Sequence, residues 1–201
     1  MAFSKLNNLR TWRFRSPSRT GHMEINRLLE FEKWVTLSRS FYLDRFGLEL
    51  DPMQVDLSST PELALIQTIQ TANKGNPQVF LSTGLRTAMD YIREIESAGL
   101  SLPACERILE FGVGFGRLLR HFLPFQAKLV GCDIVPEVVE WTKKSLGSRT
   151  EIVHTAPAPP LPFEGGTFDV VYANSVFTHI QNDETPKWIE EFRRITRPGG
   201  V

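Results

Sequence analysis

The chain has 201 residues, 41% hydrophobic and 23% charged, a composition typical of a globular fold with enough length for a real core. Its 23 Lys and Arg offset its 23 Asp and Glu, so overall charge gives no argument for a nucleic acid or a membrane as partner, and no apolar run approaches the length of a membrane span. The two cysteines, Cys105 and Cys132, lack metal or redox spacing and read as reduced packing residues of a cytoplasmic protein.

Lys5, Arg10, Arg13, Arg15 and Arg19 precede the first acid, Glu24. Arg-rich, acid-poor leaders occur in organelle transit peptides. Pro17 interrupts this one and its apolar face is thin, so residues 1–20 are expected to be a basic flexible tail. A helical region over 21–80 follows. Ile25, Leu28, Leu29, Val35, Tyr42 and Phe46 fall on one face of a helix over 24–46 that Gly47 ends. Ser59, Thr60, Pro61 and Glu62 form a helix start, with a helix expected to about Thr71 and a turn over Asn73–Pro77. Ser82 or Thr83 is expected to start the next helix, with Leu85, Met89, Ile92 and Ile95 as its stripe.

From Ile108 the pattern changes to strands alternating with helices, which predicts an α/β fold with parallel strands and right-handed crossovers. Strands are expected over 107–111, 128–133, 150–155 and 168–173. Helices are expected over 117–123, from Pro136 to Leu146, and from Thr185 onward with Trp188, Ile189, Phe192 and Ile195 inward. Between the first strand and its helix lie Gly112, Gly114 and Gly116, a turn where backbone bends sharply and a ligand approaches the main chain. A dinucleotide fingerprint needs G-x-G-x-x-G. Arg117 stands at the sixth position from Gly112, so that pattern fails. His121 reads as a surface or partly packed residue, and Trp34, Trp141 and Trp188 as packing residues. The Asp183–Glu184 pair suits a helix N-terminus.

Four motifs in order carry a family resemblance. Glu110-Phe111-Gly112-Val113-Gly114-Phe115-Gly116 is similar to the acidic-x-Gly-x-Gly-x-Gly motif of class I S-adenosylmethionine-dependent methyltransferases. Asp133 matches the acid ending that family's second strand. LPFEGGTFDVVYANSVFTHI resembles its loop and fourth strand, and WIEEFRRITRPGG its next helix and turn. The resemblance covers about residues 80–201 and implies a methyltransferase domain over 81–201. Its sheet would be a partial Rossmann-like one, the first four parallel strands of the order 3-2-1-4-5-7-6, preceded by the helical N-terminal region.

By the same resemblance S-adenosylmethionine is the cofactor and a small molecule the acceptor, with no nucleic acid or membrane partner indicated. The turn of Phe111, Gly112, Gly114 and Gly116 would pass beneath the methionyl and ribose portion. Glu110 would orient that turn or accept from the cofactor's ammonium. Asp133 would take the ribose hydroxyls and Ile134 would border the adenine. Asn174 would contact the cofactor beyond the fourth strand. Ala156 stands where many relatives carry an acid for the adenine amino group, so adenine would rely on backbone and apolar contacts there. Arg86 is a candidate partner for the cofactor carboxylate, though it reads more simply as a solvated helix arginine. His179 is the candidate general base. A non-catalytic cofactor-binding or scaffolding module is the alternative. The chain stops after the Pro198-Gly199-Gly200 turn, before three of the family's strands. That predicts a fragment with little or no activity and an exposed fourth-strand edge open to self-association.

Overall fold

The computed structural model describes residues 19–62 and 76–201. The expected tail, and the helix predicted beyond Glu62, lie largely outside the described residues. Four helices and four strands are described: α1 (Arg19–Phe46), α2 (Pro77–Ser97), β1 (Arg107–Phe111), β2 (Lys128–Asp133), α3 (Pro136–Leu146), β3 (Thr150–His154), β4 (Val170–Ala173) and α4 (Thr185–Ile195). The strands form one parallel sheet in the order β3-β2-β1-β4, the predicted α/β arrangement.

The sheet is covered on both faces, as parallel sheets are. β1 alternates between them. Ile108 faces a core with Leu129, Ile152, Val170 and Tyr172, closed by Tyr42 of α1 and Ala88, Ile92 and Ile95 of α2. Leu109 and Phe111 face the opposite core with Val130, Cys132, Trp188 and Ile195. A third cluster, Phe31, Val35, Phe80, Leu81, Leu85, Phe115 and Val138, ties α1 and α2 to the glycine turn and α3.

α2 begins at Pro77, five residues before the expected start. Asn76 caps it by accepting from the Val79 N–H at 3.0 Å. Pro77 occupies the first turn, where its missing N–H costs nothing. α1 and α2 run in the same direction. Ser38 meets the Met89 sulfur at 3.4 Å, and Arg45 pairs with Glu96 about two turns further on.

Four expectations are corrected. The predicted helix over 117–123 is a run of turns ending in a 3-10 helix over Leu119–Phe122. Ile189 is 55% exposed rather than inward, and the buried residues of α4 are Trp188, Glu191 and Ile195. Ile25, Leu28 and Leu29 of α1 are exposed as well, since α1 first reaches the body at Phe31. β4 is also shorter than expected. Phe168 lies outside it and makes an isolated bridge with Thr196.

Candidate functional site

The site is built at the carboxyl end of β1 and β2. Leaving β1, the N–H groups of Gly112 and Val113 both donate to the Cys132 carbonyl at 2.9 Å. This folds the chain back over β2. Gly112, Gly114 and Gly116 have φ of +71°, +50° and +65°, which only glycine adopts without strain. A Cβ on Gly112 would lie 2.3 Å from the Val176 side chain, and one on Gly116 would lie 2.7 Å from Leu146.

Asp133 holds the turn from below. Its Oδ2 accepts from the Gly114 N–H at 2.9 Å and its Oδ1 from the Val135 N–H at 3.0 Å. From α3, the buried Thr142 hydroxyl donates to the Gly114 carbonyl at 2.8 Å. Each Asp133 oxygen retains a second lone pair, and the residue is half-buried, so the carboxylate has acceptor capacity toward solvent. Ile134 beside it is 51% exposed. Its carbonyl lies 3.2 Å from His154 Nε2. Past β3, the Thr155 N–H donates to the Asp133 carbonyl at 3.0 Å, and Ala156 is exposed.

Glu110 is buried at 2% exposure. It is opposite Tyr172 in the β1–β4 register, and the Tyr172 hydroxyl donates to its Oε2 at 3.2 Å. Burial pushes its carboxyl up to about 8, against the pull of the Arg117 guanidinium, the Tyr172 hydroxyl and the Leu119 N–H. Tyr91 of α2 lies tilted against Tyr172, with centroids 5.2 Å apart, and donates to the Ala173 carbonyl at 2.8 Å. α2 thereby reaches the ends of both β1 and β4.

The structure thus joins Glu110, Phe111, Gly112, Gly114, Gly116 and Asp133 around one turn. Asn174 is half-buried directly after Ala173, the residue paired with Phe111, and so stands at the same end of the sheet. Ser175 follows with φ of +58°. His179 sits exposed in a 3-10 turn over Phe177–His179, and no hydrogen bond joins its ring to the glycine turn. Arg86 is exposed and lines a cleft of about 780 Å³ between α1 and α2, with Trp34, Phe41, Arg45, Met89 and Arg93. Among the described residues no cluster of His, Cys, Asp or Glu is arranged to hold a metal ion.

Arg120 and His121 carry structural roles that the sequence did not reveal. Both are fully buried. Arg120 Nε donates to the Gly116 carbonyl at 2.9 Å, and Nη1 donates to Ser59 Oγ at 2.8 Å and, more weakly, to the Met53 carbonyl at 3.4 Å. Nη2 reaches the Ser59 and Phe115 carbonyls at 3.3 and 3.4 Å. The guanidinium lies 5.3 Å from the Phe80 ring centroid. All five donors of the guanidinium are therefore directed at acceptors. The His121 carbonyl accepts from Gln54 Nε2 at 3.3 Å and from the Tyr42 hydroxyl at 2.5 Å. Several of their partners, Tyr42, Met53, Gln54 and Ser59, lie more than sixty residues away in sequence, so no local signal marks these two residues as internal.

Residues 109–201 match the family described as a methyltransferase domain. The chain is 28% identical over 196 residues to the sterol 4-C-methyltransferase of Caenorhabditis elegans, covering 89% of this chain and 58% of that protein. It is 30% identical over 105 residues to the malonyl-[acyl-carrier protein] O-methyltransferase of Hahella chejuensis, covering 50% of this chain and 37% of that one. The chain therefore spans little more than half the length of the first of these relatives. Among solved structures, a SAM-dependent methyltransferase from Aquifex aeolicus is 22% identical with a TM-score of 0.46, covering 54% of this chain and 59% of that one.

Proposed function

We propose that this chain, whose residues 109–201 match a methyltransferase domain, transfers a methyl group from S-adenosylmethionine to a small-molecule acceptor in the manner of the class I S-adenosylmethionine-dependent methyltransferases. The observation that supports this best is Asp133. Its two oxygens pin the glycine turn, and each retains a further acceptor lone pair on a half-buried side chain, which suits the paired hydroxyls of a ribose. The exposed Ile134 suits an adenine face. Gly112, Gly114 and Gly116 keep the floor free of side chains. Ala156 leaves the adenine amino group to backbone acceptors.

When bound, S-adenosylmethionine supplies a methyl group on a sulfonium, already a good leaving group. The protein's task is alignment and exclusion of water more than acid–base help. Glu110 orients the turn from within the core rather than meeting the cofactor ammonium, because its carboxyl is buried and engaged by Tyr172. Phe111 packs on Trp188 at 4.6 Å and fixes the exit of β1. Asn174, at the end of β4, contacts the cofactor from the other side. His179 is the candidate base on the acceptor side. The sterol relative matches the helices as well as the domain, so sterols are the first acceptors to assay and malonyl thioesters the second. Among the described residues no helix is long and apolar enough to cross a membrane, which is compatible with the cytoplasmic location we favour.

Calorimetric titration with S-adenosylhomocysteine tests the site. The chain is expected to bind one equivalent. Asp133→Asn is expected to weaken binding roughly tenfold to a hundredfold, the worth of one or two hydrogen bonds to a charged acceptor, and Gly114→Trp to abolish it. Binding unchanged in both variants would remove Asp133 and the glycine turn from the cofactor site. A second reading, a cofactor-binding module without catalysis, is favoured by Ala156. It predicts binding with no methyl transfer to any acceptor.

A further inference from the structure

Three basic residues follow the glycine turn, Arg117, Arg120 and His121. The last two are fully buried, and every donor of Arg120 is directed at an acceptor. Arg117 differs. It is half-buried, and among the described residues its guanidinium makes no hydrogen bond and no ion pair. The groups whose charge it feels are Glu110, Tyr91, Tyr172 and Arg86. Of these only Glu110 is a carboxylic acid. Its side chain is buried and engaged by the Tyr172 hydroxyl at 3.2 Å, and burial holds its proton up to about 8. Arg86, exposed on α2, adds a second positive charge. A guanidinium partly withdrawn from water keeps five donors to satisfy, and a charge left without a partner there is costly. The arrangement suits an anion from outside the chain.

The place of Arg117 in the fold identifies that anion. Asp133 ends β2 and holds the turn from that side by accepting from the Gly114 N–H at 2.9 Å. Arg117 leaves the turn directly after Gly116. It stands toward the paired ends of β1 and β4, where Glu110 lies opposite Tyr172 and Tyr91 donates to the Ala173 carbonyl at 2.8 Å. A ligand with its ribose on Asp133 therefore crosses the turn to bring its amino-acid end, and its one carboxylate, toward Arg117. The planar guanidinium can meet a carboxylate through two parallel N–H donors. We propose that Arg117 binds the carboxylate of S-adenosylmethionine, while Arg86, the candidate for this role in the sequence, contributes only its charge. This rests on the reading of Asp133 and the glycine turn as the cofactor site.

The test is calorimetric titration of the 201-residue chain with S-adenosylmethionine and with decarboxylated S-adenosylmethionine, which lacks only that carboxylate. The unaltered chain is expected to bind the decarboxylated form about tenfold to a hundredfold more weakly, the worth of a charge-assisted pair. Arg117→Met is expected to weaken S-adenosylmethionine by the same factor and to leave the decarboxylated form unchanged. Arg117→Lys is expected to restore part of the difference, and Arg86→Met to retain most of it. Without ligand, the urea midpoint of Arg117→Met is expected to equal or exceed that of the unaltered chain, because an unpaired, partly desolvated charge is removed. The proposal is overturned if Arg117→Met weakens both ligands equally, weakens neither, or lowers the ligand-free urea midpoint. It is overturned as well if the discrimination is lost in Arg86→Met instead. An unaltered chain that binds neither ligand overturns the cofactor reading itself, whereas binding that depends on Asp133 but not on Arg117 overturns this proposal alone.

Discussion

Two buried ionisable residues lie on either side of the glycine turn and give opposite pH dependences. The His121 ring is fully buried, its two nitrogens have no hydrogen-bond partner in the structure, and burial with the Arg120 and Arg117 charges holds its pKa well below 6.5. Below about pH 6.5 the unfolded chain takes a proton that the folded chain refuses, so stability falls as pH drops through that range. Glu110 behaves in the opposite sense. Its unfolded value is 4.5 and burial raises the folded value to about 8. Above 4.5 the unfolded chain releases a proton that the folded chain retains, so stability falls as pH rises from 4.5 to about 8. Between 6.5 and 8 only the Glu110 effect remains of the two. Urea midpoints are therefore expected to decline from pH 6.5 to 8, and Glu110→Gln is expected to flatten that decline. An identical slope in the variant would show that Glu110 is ionised in the folded protein.

At the scale of elements, the strands were legible because strands buried on both faces read as continuous apolar runs. RILEF and KLVGCD become β1 and β2 at the expected residues. The segment after the turn was misread because Leu118, Leu119, Phe122 and Leu123 suit a tight 3-10 turn as well as an α-helix. Arg120 settles the matter locally, since its side chain bonds the Gly116 carbonyl four residues back. α2 depends on Gly84 for its approach to this segment. A Cβ there would stand 2.5 Å from the Arg117 carbonyl and 2.6 Å from His121 Nε2. Gly→Ala inside an exposed helix stabilises by about 1 kcal/mol. Here Gly84→Ala is expected to destabilise by about 1–3 kcal/mol through overpacking, read as a lowered urea midpoint. A gain in stability would mean that α2 is not held against this segment.

The candidate site was legible where its residues are neighbours in sequence or stand at strand ends. Glu110 ends the apolar run of β1, the three glycines follow it at once, and Asp133 ends β2 and bonds the Gly114 N–H, all placements readable from the sequence. The link from Glu110 to Tyr172 and on to Tyr91 was not legible, because it depends on the β1–β4 register and on where α2 crosses the sheet.

Across the whole molecule the helices and the sheet share cores. Tyr42 and Ile92 pack with Ile108 and Tyr172, and Phe31 and Phe80 pack with Phe115. Arg120 joins the glycine turn to Met53 and Ser59 in the N-terminal region. The family match begins only at residue 109, yet the turn is held from both sides of that boundary. We therefore propose that the described part of the N-terminal region, Met53 and Ser59 included, supports the cofactor site rather than forming a separate module. At the other end of the sheet, Val201 already pairs with β4. Its N–H donates to the Asp169 carbonyl at 2.9 Å, and its carbonyl accepts from Val171 at 2.7 Å. The Pro-Gly-Gly turn thus delivers the chain onto the open β4 edge in parallel register.

Amide hydrogen exchange with and without S-adenosylhomocysteine tests the central claim most directly, because it reports where on the chain the ligand acts. The account predicts slowed exchange over 112–117 and 133–135, and at 174–176, with weaker protection in α2 near Gly84 and little change over 23–30. Protection confined to the α1–α2 cleft, or none at the glycine turn under saturating ligand, would contradict it.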